Sequence, residues 1–418
     1  MAMAARSRAL LWVVVGAGLL LRLVVVFGVK GDSFDLGSMD LVWRALHVHA
    51  LHLYALTDFG PAPRWPYPPG FLPAILFAHW LGLHLSVSIH ALYRLPAVIA
   101  DAVLAVIVAD LLGRAGASDR RRLAAAALIS LGPVPILASS YQAQIDSLAI
   151  LPAVLAIGVW IYGPEQRRAL VCGLLIGVGA TVKTVPLIAV LALLPTARSR
   201  RETVVLVGAA LALPLVVLAP FVIADASITA RALRYHGGPG IGGISLLLQP
   251  NLVLAWFRTG VFRFSALTRD GQSAATTLIA VSLAAATVYC VRRRASAPAA
   301  ATLLWLAVYV FGVDFFFQYL VWGIPFFLLA GHVRAVAAVQ IALLFPLAVR
   351  YLPSLLHAGS TASGYIHYGY WSADVLRYVY VPVMVGVWVG AVVALLVAAR
   401  AVRAPAPELG SLGGELPA

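Results

Sequence analysis

Apolar runs long enough to cross or nearly cross a bilayer follow one another along most of this chain, parted by short clusters of arginine. No other feature constrains the fold as much. Of 418 residues, 62% are hydrophobic and 11% charged, where soluble domains carry about 25% charged residues. A soluble fold of this length cannot hide so much apolar surface, so the chain reads as an all-α, polytopic membrane protein. Its first run, roughly residues 9–29, is too long for a removed signal peptide and lacks a small-residue cleavage site. It is expected to stay as a helix.

The formal charge of +14 suggests nucleic acid until its distribution is considered. The cations cluster at Arg6/Arg8, Arg114/Arg120/Arg121/Arg122, Arg167/Arg168, Arg198/Arg200/Arg201, Arg292/Arg293/Arg294 and Arg400/Arg403. Short basic clusters between apolar runs mark cytoplasmic loops. A nucleic-acid binder gathers its cations on one soluble face instead. The cysteines, Cys172 and Cys290, lie in apolar runs and suggest neither a disulfide framework nor a thiolate metal site.

About twelve spans are expected, near residues 9–29, 91–112, 122–138, 147–162, 168–182, 184–196, 203–223, 274–291, 298–312, 316–331, 334–350 and 379–399. If residues 70–85 also crossed, Arg114–Arg122 would lie outside; they are read as a helix in the membrane surface. Both termini then lie inside, and residues 30–90, 139–146, 224–273 and 351–378 face out. Residues 1–403 form one transmembrane domain, and the low-complexity stretch 404–418 is a disordered cytoplasmic tail.

The outer regions hold most of the carboxylates, and the first loop alone carries Asp32, Asp35, Asp40 and Asp58. A carboxylate just above the bilayer suits a general base towards a sugar hydroxyl. It suits equally the N-cap of a surface helix starting near Ser38. Arg64-Trp65-Pro66-Tyr67-Pro68-Pro69-Gly70 is either an aromatic anchor or a rigid shelf holding Arg64 near a phosphate. The turn Ser139–Ser147 holds Gln142, Gln144 and Asp146, more polar groups than a short turn needs and well suited to sugar hydroxyls. Lys183 interrupts a long apolar run, and an intramembrane ionisable residue is by default a functional candidate; it binds a phosphate or snorkels. The glycine-rich stretch Tyr235–Ser245 contains His236, near Arg231 and Arg234. Near Asp314, Gln318 and Tyr319 are the ligand candidates in an otherwise aromatic stretch, while Arg22 and Asp101 are expected to pair structurally. His47 and His49 do not share a helical face, which argues against a histidine metal site.

In order, these motifs resemble the GT-C superfamily of integral-membrane glycosyltransferases, and most of all its bacterial family-87-type and GPI-mannosyltransferase-like members. The resemblance runs from the early Asp through Tyr67-Pro68-Pro69, Arg94-Leu95-Pro96 with Asp101, the turn at Gln142, Gln144 and Asp146, and Lys183, to Gln318–Pro325. It implies a polyprenyl-phosphate sugar donor, with mannose the expected sugar, and a glycolipid, glycan or protein acceptor. It implies a base in the first outer loop, with Asp35 the best match by spacing to Tyr67 and Asp32 and Asp40 in reserve. Lys183, Arg64, Arg94, Arg234 and His236 are expected at the donor phosphate. Tyr67, Gln142, Gln144, Asp146, Gln318 and Tyr319 are expected at sugar or acceptor. The chain departs from eukaryotic relatives in having Pro66 where they place an acid, and it lacks a close Asp-x-Asp pair. No cofactor is called for; a divalent metal is the one left open. The expected setting is a bacterial plasma membrane with the active site facing out, among membrane lipids and without nucleic acid. The rival reading is a multispan transporter or flippase for a lipid-linked or polyanionic substrate.

Overall fold

The computed structural model describes residues 3–59, 63–234, 240–259, 266–313, 315–356 and 370–402, with the side chains of 266–273 and 275 also set aside. His236, Asp314, the 404–418 tail and parts of 224–273 and 351–378 lie outside the described residues. The described chain is helical, and the only strand-like pairing within it is an isolated bridge between Gly242 and Phe315.

Five described helices are long and apolar enough to cross a membrane: Ala5–Gly28, Ile89–Arg114, Asp119–Tyr141, Arg200–Ala224 and Ala373–Ala401. A sixth is Val333–Ala342 with Leu344–Leu356, bent by 47°, if the pair counts as one span. Shorter apolar helices cover Pro69–Leu85, Asp146–Tyr162, Arg168–Val182, Val185–Thr196, Ala297–Phe311 and Phe317–Leu329. The expected stretches are helical, and a further long helix, Ala266–Arg293, holds the expected span 274–291; the count of about twelve crossings is not confirmed. The shorter helices fall below the roughly 20 residues of a straight crossing.

Local sequence explains the helix ends. Asp32 caps Ser33–His49, accepting from Phe34 N at 2.9 Å and Asp35 N at 3.4 Å. Ser199 caps Arg200–Ala224 by accepting from Glu202 N at 3.1 Å, the first half of a capping box. Small residues then let helices approach closely. A Cβ at Gly173 would lie 2.6 Å from the Ala209 Cβ, so Arg168–Val182 and Arg200–Ala224 pack almost backbone to backbone. Deeper in, Arg22 and Asp101 pair at 3.1 Å. The remaining Arg22 donors go to the carbonyls of Gly18, Ile129 and Ser130. This pair ties the first helix to Ile89–Arg114 and Asp119–Ser130 and is structural.

A second apolar cluster lies apart from the main core. It seats Ser33–His49 through Leu36, Met39, Val42 and Ala45, against Phe71, Ile75 and Tyr93. The helix Leu72–Leu85 leaves Leu76, Phe77, Trp80 and Leu83 exposed along one stripe.

Candidate active site

The site is built on the turn after Pro133–Ile136. Leu137–Tyr141 widens into a π-helix, a geometry frequent at functional sites. The chain then reverses through Ala143, which is 2% exposed and has φ +62°. That left-handed conformation costs a residue with a Cβ about 1–2 kcal/mol. It sends Gln142 and Gln144 to the same side before Asp146 opens the next helix.

Both glutamine amides reach Asp35. Asp35 sits in the first turn of Ser33–His49 and is half-buried. Burial pushes its carboxyl up to about 7, and the Asp32 carboxylate adds to the shift. The Gln144 amide, the Arg350 guanidinium and the Gln142 amide oppose it. A carboxyl that titrates near neutrality is matched to proton transfer at physiological pH.

The other acids of the loop are committed elsewhere. Asp32 caps its helix and pairs with Arg350 Nη2 at 2.8 Å. Asp40 lies more than a turn further on and faces away, accepting from Tyr93 at 3.2 Å and lying 2.8 Å from His90 Nε2. Burial pushes the Asp40 carboxyl up, but His90 and Tyr93 outweigh it and hold it below the usual carboxylate range. Asp58 pairs with Arg231.

Beyond Gln144 lies Lys183. Its Nζ is 3.1 Å from Gln144 Oε1 and 2.7 Å from Asp146 Oδ1. The ammonium also sits over the rings of Tyr67, at 4.8 Å, and Trp322, at 5.9 Å. Trp322 Nε1 donates to the same Asp146 oxygen. Tyr67 is carried there by the Pro-Pro-Gly turn, since a Cβ at Gly70 would strike Thr181. Tyr67, Gln144, Lys183, Gln318, Tyr319 and Trp322 line a cavity of about 480 Å³. Its far wall is apolar: Ile279, Ala280, Leu283 and Val308. Asp146 Oδ2 is buried without a hydrogen-bond partner among the described residues. A larger apolar groove of about 750 Å³, bounded by Val336, Val339, Val387 and Ala394, carries none of the expected site residues.

Three expected phosphate ligands stand apart from this cavity's lining. Arg94 is 1% exposed and gives its donors to the carbonyls of His90, Ser140, Val26 and Val29 at 2.6–3.1 Å. It clamps the site's scaffold. Arg64 donates to Ser38 Oγ and the Phe34 carbonyl, both at 2.9 Å, and braces the helix Ser33–His49. Arg234 is exposed at the end of Ala226–Leu233. Among the described residues no group of three or more His, Cys, Asp or Glu is placed to hold a metal.

Sequence reasoning missed Arg350 and Tyr351. Tyr351 donates to Gln142 Oε1 at 2.6 Å, and Arg350 lies 5.0 Å from the Tyr351 ring. One signal was available: an arginine at the end of an apolar run that was expected to face out, against the inward bias expected of the cations.

The family model for glycosyltransferase family 87 matches residues 65–316, more than half of the chain. That stretch takes in Tyr67, Arg94, Gln142, Gln144, Asp146, Lys183 and Arg234. It leaves out Asp32, Asp35, Asp40, Arg64, Gln318, Tyr319 and Arg350. No curated protein matches the chain.

Proposed function

The chain belongs to glycosyltransferase family 87, and from that premise we propose an inverting transfer of a hexose, mannose, from a polyprenyl-phosphate donor. The acceptor is a glycolipid, glycan or protein at the outer face of a bacterial plasma membrane. Asp35 takes the proton of the acceptor hydroxyl. The oxygen attacks the anomeric carbon from the face opposite the phosphate, and the bond from that carbon to the phosphate oxygen breaks. The leaving phosphate takes the electron pair and needs little protonation, so one base suffices.

One observation carries this reading. A carboxyl held near neutrality lies one glutamine away from a cavity that combines a lysine ammonium with an apolar wall. Lys183 supports the departing phosphate by its charge. The apolar wall suits the first isoprene units. Gln318, Tyr319 and Tyr67 offer contacts to the sugar. The family match leaves the transporter reading without support.

The test supplies purified protein with polyprenyl-phosphate sugars and candidate acceptors, and follows release of polyprenyl phosphate. Asp35→Asn is expected to lower turnover about 10²–10⁴-fold, the usual contribution of a general base. Asp40→Asn keeps most of it. Full turnover in Asp35→Asn sinks the assignment of the base.

A further inference from the structure

Each glutamine amide that reaches Asp35 is gripped at its other end by a donor. The Lys183 ammonium has donors and no acceptor, and it lies 3.1 Å from Gln144 Oε1. The Gln144 carbonyl is thereby turned to Lys183, which leaves its NH₂ as the end that serves Asp35. Gln142 repeats the arrangement, its Oε1 accepting from the Tyr351 hydroxyl at 2.6 Å. Amide oxygen and nitrogen are assigned by such partners, and here both assignments agree. The grips are themselves anchored. Lys183 pairs with Asp146, and the Tyr351 ring packs edge-on against Tyr141 at 5.6 Å.

A gripped amide treats the two forms of the carboxyl differently. It donates to the carboxylate. It cannot accept from the protonated acid without breaking its bond to Lys183 or Tyr351. A free amide could flip and serve either form.

We propose that Tyr351 and Lys183 are positioning residues for the base: by fixing the orientation of Gln142 and Gln144 they favour the ionised, directed Asp35 carboxylate over the protonated acid. The inference rests on the reading of Asp35 as the base. It gives Tyr351 a role at the reacting centre without contact to either substrate, and adds to Lys183 a second role beside its charge. The other groups facing Asp35 are Asp32 on its own helix, which works against ionisation, and Arg350, which works for it.

The test uses the full-length protein. The carboxyl stretch of Asp35, identified by its loss in Asp35→Asn, is titrated by infrared difference spectroscopy without substrate. Tyr351→Phe is expected to move the midpoint upward by about one unit, and turnover at pH 6 to fall about tenfold to match. Turnover at pH 9 and the donor KM stay near wild type. Gln142→Leu, which removes the amide, moves the midpoint the same way. Lys183→Arg keeps a donor-only grip and leaves it in place. An unmoved midpoint in folded Tyr351→Phe and Gln142→Leu overturns the proposal, as does a turnover loss equal at every pH. Wild-type protein that releases no polyprenyl phosphate from any donor overturns the functional reading instead. The two failures are distinguishable because the infrared midpoint is read without turnover.

Discussion

Asp35 is kept at a cost to stability. A carboxyl whose folded-state proton affinity is raised stabilises the fold fully only below its ordinary range, and that contribution is lost as pH rises through about 7. The same rise in pH ionises the carboxyl that is proposed as the base. Asp35→Asn removes the liability, so the variant is expected to melt above wild type at pH 8, with the gap closing towards pH 5. Thermal unfolding in detergent at the two values measures this, and a gap independent of pH contradicts it. At this scale the sequence singled out Asp35, Gln142, Gln144, Asp146 and Lys183. It did not reveal that Lys183 is paired with Asp146, or that the donors of Arg94 are spent on four carbonyls. A sequence shows which groups are charged, but not which are already satisfied.

Among the elements, Gly173 shows how packing is set. It faces Ala209 and the Leu206 carbonyl so closely that any larger side chain forces the helices apart, whereas Gly208 has nothing within 4 Å of its Cβ position. Gly173→Leu is expected to cost about 1–3 kcal/mol by overpacking, seen as a lower melting temperature, while Gly208→Leu is close to neutral. Equal losses at both sites would contradict this, since helix propensity alone favours leucine over glycine at each. Caps such as Asp32 and Ser199 are legible in the sequence because they act within one turn. Crossings were less legible. Apolar runs identified the helices and the break at Lys183, but the bend at Leu343 falls inside the expected span 334–350, and composition does not show it.

Over the whole molecule, the candidate site depends on residues 318 positions apart, since Arg350 closes on Asp32. The arginine clusters predict that this site faces outward. Cys172 and Cys290 are both 0% exposed, so introduced cysteines can be read against a silent background. Phe59→Cys is expected to react with an impermeant maleimide on intact cells, and Arg120→Cys only after permeabilisation. The reverse pattern would place the site on the cytoplasmic side.

The sequence by itself determined that the chain is helical and belongs in a membrane, because scarce charge and long apolar runs permit little else. It also determined which short polar stretches interrupt that pattern. Only the tertiary structure decided which carboxylate is pushed towards neutrality and which is held low. Helical periodicity puts Asp32 and Asp35 on one face and Asp40 on another, and both faces look alike in sequence. Packing against the turn at Ala143 and against Arg350 gave the first face a desolvated, hydrogen-bonded pocket and left Asp40 to His90. Proton affinity follows from that environment, and the environment is assembled from residues far apart in the chain.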